Sequence, residues 1–331
     1  MKRILRPLVV ALVASLLVIP ATGSAASAAT RKIALGASSI DDRSIAAVDA
    51  HTNAVGRTPA VWSVWSDWGG PDRDFPTTFM NELKSRNITP MVVWQPGDPT
   101  NQSDCANWSL DRILDGSHDA YIRQFAHAAA QYGGRIILRF AHEMNGFWFI
   151  WGYGRCTNTP AKFKAAWKHV WNIFKGPGGE GASNVKFLWS IFGKTRLKMH
   201  YPGNSYVDYV GVTAFNWGPN GGPTSRPWVS MVQNFKVPMT ALGRFTRKPV
   251  IAAELGAAYL PNCGACDKTA WLRQGYPAVY AKWKRLKVIV YFDINMIPVA
   301  NQPNWKLDSP ESTLQAYRNV VADSRFQGQV L

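Results

Sequence analysis

Eight short apolar runs, each separated from the next by a longer amphipathic stretch, constrain this chain most. They are 32–38 (KIALGAS), 60–66 (AVWSVWS), 89–94 (TPMVVW), 135–141 (RIILRFA), 185–191 (VKFLWSI), 208–214 (DYVGVTA), 249–254 (PVIAAE) and 287–293 (KVIVYFD). Branched apolar runs of this length read as strands buried on both faces, which is the condition of a parallel sheet. The stretches between carry helical patterns: Asp41–Val55 behind an Asp cap, Thr77–Ser85, His118–Tyr132, Ala161–Phe174, Trp228–Phe245, Lys268–Arg285 and Ser309–Asp323. Alternation of eight strands with helices in 331 residues predicts an α/β fold, a single-domain (β/α)8 TIM barrel. The competing doubly wound sheet would carry a glycine-rich turn after its first strand. Gly36-Ala37-Ser38-Ser39 is not that turn, and Gly193-Lys194-Thr195 lacks the earlier glycine of a phosphate loop, where Leu188 stands instead.

Residues 1–29 are set apart. Lys2, Arg3 and Arg6 precede the apolar run 8–19, and small residues follow to Ala29, the pattern of a secretory signal peptide. Residues 30–331 are then the barrel domain of an exported protein, and no later segment is apolar enough to cross a bilayer. Losing three basic residues lowers the formal charge from +16 to +13. The remaining basic residues are scattered over helix faces without a nucleic-acid motif, so a nucleic-acid partner is not expected. Four cysteines in an exported chain predict disulfides. Cys105–Cys156 and Cys263–Cys266 are the favoured pairs among three possible pairings. Zinc would need two closely spaced pairs, and only Cys263 and Cys266 are close.

In a barrel of this kind the active site lies at the C-terminal ends of the strands. The chain has five glutamates, and two of them, Glu143 and Glu254, end strands four and seven. Glu143 follows His142 and precedes an aromatic cluster. Burial there raises a carboxyl pKa, which suits a general acid. An ion pair between Glu143 and Arg139 is the alternative use of that carboxylate. Two carboxylates sharing one proton suit glycoside hydrolysis, with a spacing of about 5–5.5 Å for retention and about 6.5–9.5 Å for inversion. Trp65, Trp68, Trp94, Trp148, Trp151, Trp217 and Trp305 fall near the same strand ends, where flat rings can stack on sugars.

The segment His142-Glu143-Met144-Asn145-Gly146 with Trp148, together with Glu254 in Ala-Glu-Leu-Gly, resembles glycoside hydrolase family 26. The similarity runs through Asn216-Trp217-Gly218 to Trp305-Lys306-Leu307-Asp308-Ser309. The resemblance implies a retaining (β/α)8 enzyme with Glu143 as acid/base and Glu254 as nucleophile. His142, Trp148, Trp94, Trp65, Phe215, Trp217 and Trp305 are the expected substrate contacts. It favours an endo-β-1,4-mannanase, with mixed-linkage β-glucan or β-1,3-xylan as other substrates. A non-catalytic carbohydrate-binding barrel is a third possibility. The implied partner is a polysaccharide and the implied state a monomer; no metal or cofactor is implied. One departure stands out. The family commonly carries Asp and Tyr two apart after strand six, where this chain has Thr213 and Phe215. Phe215 has no hydroxyl with which to hold Glu254.

Overall fold

The computed structural model describes residues 31–219, 226–300 and 302–330. The expected signal peptide lies outside them. Eight parallel strands close into a barrel in sequence order. They are β1 (Ala34–Ser38), β2 (Val61–Asp67), β3 (Thr89–Gln95), β4 (Ile136–Phe140), β5 (Val185–Ile191), β6 (Tyr209–Asn216), β7 (Val250–Ala257) and β8 (Leu286–Phe292). β1 pairs with β8 from Ala34↔Val288 to Ser38↔Phe292, which closes the ring. Each expected apolar run overlaps one of them.

Alternation divides the strand side chains into two layers. Val61, Met91, Val93, Ile137, Leu188 and Val290 fill the barrel interior. Trp62, Val64, Val92, Trp94, Leu138 and Trp189 point outward and pack beneath the helices. Seven helices of eight or more residues surround the barrel among the described residues: Ile45–Val55, Thr77–Ser85, Asp119–Tyr132, Pro160–Lys175, Met231–Gly243, Lys268–Lys282 and Glu311–Ala322. After β5 stand only a one-turn helix, Leu197–His200, and a 3-10 turn, Asn204–Tyr206. The cap of the first helix is Ser44 rather than Asp41; its side chain accepts from the Ala47 N–H. Asp42 accepts instead from the Trp65 N–H, tying the first loop to β2.

Both disulfides lie on the C-terminal side of the barrel. Cys105–Cys156 joins the loops after β3 and β4, and Cys263–Cys266 closes a turn after β7. A link across 51 residues removes about 4 kcal/mol of chain entropy from the unfolded state in the loop-closure account. No helix among the described residues is long and apolar enough to cross a membrane.

Candidate active site

Two local devices aim the glutamates. After β4 the backbone enters the left-handed region at Ala141 (φ 43°) and again at Glu143 (φ 54°). Neither residue favours that region, and such strain collects where the surroundings impose it. Here the Glu143 N–H donates to the Ser190 carbonyl at 2.9 Å, and the Ala141 N–H to the Trp94 carbonyl at 3.0 Å. On β7 the device is a bulge. Register against β6 runs Val212↔Ala252 and then Thr213↔Glu254, so Ala253 is the extra residue. Ala253 still packs in the barrel interior. Without the bulge, alternation would send Glu254 outward; the inserted residue turns it toward the mouth beside Thr213.

The two carboxylates meet through one network. Glu254 Oε1 accepts from Arg139 Nη1. Arg139 is fully buried, and its Nε donates to Ser190 Oγ at 3.1 Å. Its Nη2 donates to Thr213 Oγ1 at 3.3 Å. Thr213 Oγ1 donates to Glu143 Oε1 at 2.5 Å, and Trp148 Nε1 donates to Glu143 Oε2 at 2.9 Å. The ion pair weighed for Glu143 therefore belongs to Glu254. Both glutamates are largely buried without being sealed, at 8% exposure for Glu143 and 7% for Glu254.

The electrostatics separate the pair. Burial and then the negative charge of Glu254 push the Glu143 carboxyl up to about 7, against the opposing pull of Arg139, Thr213 and Trp148. Glu254 has a guanidinium in direct contact. His142 is buried, and desolvation followed by the Arg139 charge drives its pKa well below the ordinary value, so the ring is neutral. Its Nδ1 has no hydrogen-bond partner among the described residues.

The sequence profile of Glycosyl hydrolase family 26 matches residues 107–256, a span that includes both glutamates. Endoglucanase H of Acetivibrio thermocellus is 28% identical over 267 residues, which is 78% of this chain and 26% of that protein. A mannan endo-1,4-beta-mannosidase of Bacillus subtilis is 26% identical over 175 residues, 51% of this chain and 42% of that one. Over residues 107–256 the chain is similar to glycoside hydrolase family 26. It spans less than half the length of either relative. Among solved structures, the catalytic domain of an endo-beta-1,4-mannanase from Bacillus sp. JAMB-750 superposes with a TM-score of 0.65 at 16% identity, covering 89% of this chain and 87% of that one. At that identity the likeness is one of fold.

Around the two glutamates, the aromatic residues divide. Trp148 is 41% exposed and folds back over Gly146, where a Cβ would stand 2.4 Å from the indole ring. Only glycine lets the indole N–H reach Glu143. Trp65 is half-buried and meets the His142 ring edge to face at 6.0 Å. Phe215 and Trp217 are half-buried and pack on Trp305 at 4.6 and 4.9 Å. Trp305 itself is 1% exposed; it backs those two rings and presents no face of its own. Trp94 is the clear correction. It is fully buried in the outer layer, donates to Tyr121 Oη at 3.0 Å and packs on Phe125, because Met91 and Val93 take the inward positions. Trp68 and Trp151 are likewise closed off, Trp68 against Trp94 and Trp151 stacked on Phe149. The seven-ring rim reduces to Trp65, Trp148 and Trp217.

Sequence reasoning missed Arg139 as the partner of Glu254, Ser190 as its anchor, and Gln95. Gln95 Nε2 donates to Asp67 Oδ1 at 2.6 Å at the ends of β3 and β2. All of these stand at inward positions of their strands, so period-two counting was the available signal. Asn145 is a brace: it bonds the Phe192 N–H and the Phe192 and Thr195 carbonyls, fastening the β4 loop to the β5 loop.

Proposed function

We propose that this chain is a secreted, retaining endo-β-glycanase that acts as a monomer on β-mannan. The observation that carries the reading is the single network joining two strand-end carboxylates, one raised in pKa and one ion-paired. A bound glycan would place its anomeric carbon between them. Glu254 attacks that carbon while Glu143 gives its proton to the leaving oxygen, leaving a glycosyl ester on Glu254. Glu143, now ionised, takes a proton from water; the oxygen adds to the anomeric carbon and frees Glu254. Trp148 serves twice, as a platform beside the cleavage point and as a donor to the acid. The leader-like residues 1–29 and the two disulfides support export.

Mannan is favoured by the family's usual activity and by the B. subtilis relative. A second reading, mixed-linkage β-glucan, is favoured by the longer and more identical match to Endoglucanase H and by the Thr213 and Phe215 departure. A panel of mannan, lichenan and β-1,3-xylan separates them. Glu143→Ala and Glu254→Ala should each lose at least about a thousandfold in kcat/KM on the preferred polymer. Proton NMR of the first product should show the β anomer. Unchanged hydrolysis in both variants overturns the site; α product first overturns retention. Binding without cleavage by the wild type assigns the barrel to carbohydrate binding.

A further inference from the structure

Thr213 stands where the family pattern carries an aspartate, and its hydroxyl touches both halves of the site. A hydroxyl has one proton and two lone pairs. Arg139 Nη2 donates to it, and its own proton goes to Glu143 Oε1. The same guanidinium holds Glu254 through Nη1. The charged groups acting on Glu143 are thus Glu254 from β7 and Arg139 from β4. The His142 ring is neutral, β5 contributes the Ser190 carbonyl and hydroxyl, and the loop after β4 contributes the Trp148 N–H.

We propose that Thr213 is a positioning residue that makes the protonation of Glu143 answer to the charge on Glu254, by way of Arg139. The inference rests on the hydrolase reading above. In the resting site Arg139 is engaged by the Glu254 anion, and Glu143 holds its proton. When Glu254 bonds to the anomeric carbon and the leaving oxygen departs with the proton of Glu143, negative charge leaves Glu254 and appears on Glu143. Arg139 then lacks its ion partner, and the Thr213 hydroxyl passes its polarisation to the new anion. Glu143 is thereby held as a base until water gives up its proton and Glu254 is freed. An aspartate here would add a third carboxylate and compete for Arg139. Threonine makes the link without adding charge.

The test pairs Thr213→Val with Thr213→Ser, alone and with Glu254→Gln. Five glutamates make selective 13C labelling of the δ-carboxyls tractable, so Glu143 can be titrated without substrate. In Thr213→Val the Glu143 midpoint and the basic limb of kcat/KM should both rise by about one pH unit or more, and Thr213→Ser should restore them. Glu254→Gln should lower the Glu143 midpoint, and the fall should be smaller by about half a pH unit or more when Thr213→Val is also present. A slower Thr213→Val enzyme with an unmoved basic limb and carboxyl midpoint would mean that Thr213 only fills space. Equal falls with and without the hydroxyl would overturn the coupling. If the wild type cuts no glycan, the hydrolase reading fails by itself, and the carboxyl titrations still decide whether the link exists.

Discussion

The ends of β4 and β7 solve the same problem, presenting a carboxylate at the barrel mouth, in opposite ways. At β4 the backbone is bent into the left-handed region and Glu143 receives neutral donors, the Thr213 hydroxyl and the Trp148 indole. At β7 the backbone stays extended, a single inserted residue re-aims Glu254, and its donor is a buried guanidinium. Neutral donors leave burial dominant, so Glu143 keeps its proton toward neutral pH. Glu254 instead contacts a guanidinium. In the proposed mechanism, two identical side chains take the roles of acid and nucleophile through the charge of their partners.

Replacing Arg139 breaks this contrast most severely. Arg139→Met leaves Glu254 buried without its cation, and removing one partner of a buried pair costs about 3–5 kcal/mol. Urea unfolding should show that loss. Glycan hydrolysis should fall at least about a thousandfold, since the variant holds two carboxylates whose charges nothing separates. Stability within about 1 kcal/mol of wild type would mean that Arg139 is not the counter-ion its contacts indicate.

A narrower change works on the β4 side alone. Trp148→Phe keeps a flat ring over Gly146 and removes the indole N–H from Glu143 Oε2. Losing a donor to the ionised form raises the pKa further, so the basic limb of kcat/KM should move upward. The loss at the optimum should be about tenfold, the scale of one hydrogen bond to a charged group. Trp148→Ala should cost more, because the platform goes as well. Equal losses for Phe and Ala would assign the residue to hydrogen bonding alone.

The barrel was legible because eight buried runs and their spacing leave few topologies, and each run became a strand with ends shifted by no more than three residues. The pair Glu143 and Glu254 was legible because a carboxylate at the end of an apolar strand has few structural uses. Trp94 was misassigned although the signal was present: Met91 and Val93 face inward, so Trp94 between Val93 and Gln95 must face out. Nearness to a strand end says nothing about side; parity does. The Ala253 bulge had no such signal. Register depends on the partner strand, and by parity alone Glu254 would point toward the helices. The Arg139–Glu254 and Thr213–Glu143 contacts both follow from that register.

The smallest expected effect isolates the cost of holding Glu143 as an acid. Its ordinary carboxyl value of 4.5 is raised to about 7 in the folded chain. Between those values the folded state binds more protons than the unfolded state, so stability from this group falls as pH rises through that window. Glu143→Gln keeps the shape and removes the titration. At pH 4, below both carboxyl values, wild type and variant should melt within about 1 °C of each other. At pH 8 the variant should melt higher, by about 1–2 °C for each kcal/mol recovered in a chain of this size. Glu254→Gln should instead melt below wild type at pH 8, since it strands Arg139 without its anion. A carboxylate whose removal stabilises only when ionised, opposite one whose removal destabilises, is the signature of two carboxylates made different by their surroundings. Matching shifts for the two variants would mean that the β4 and β7 environments are electrostatically alike.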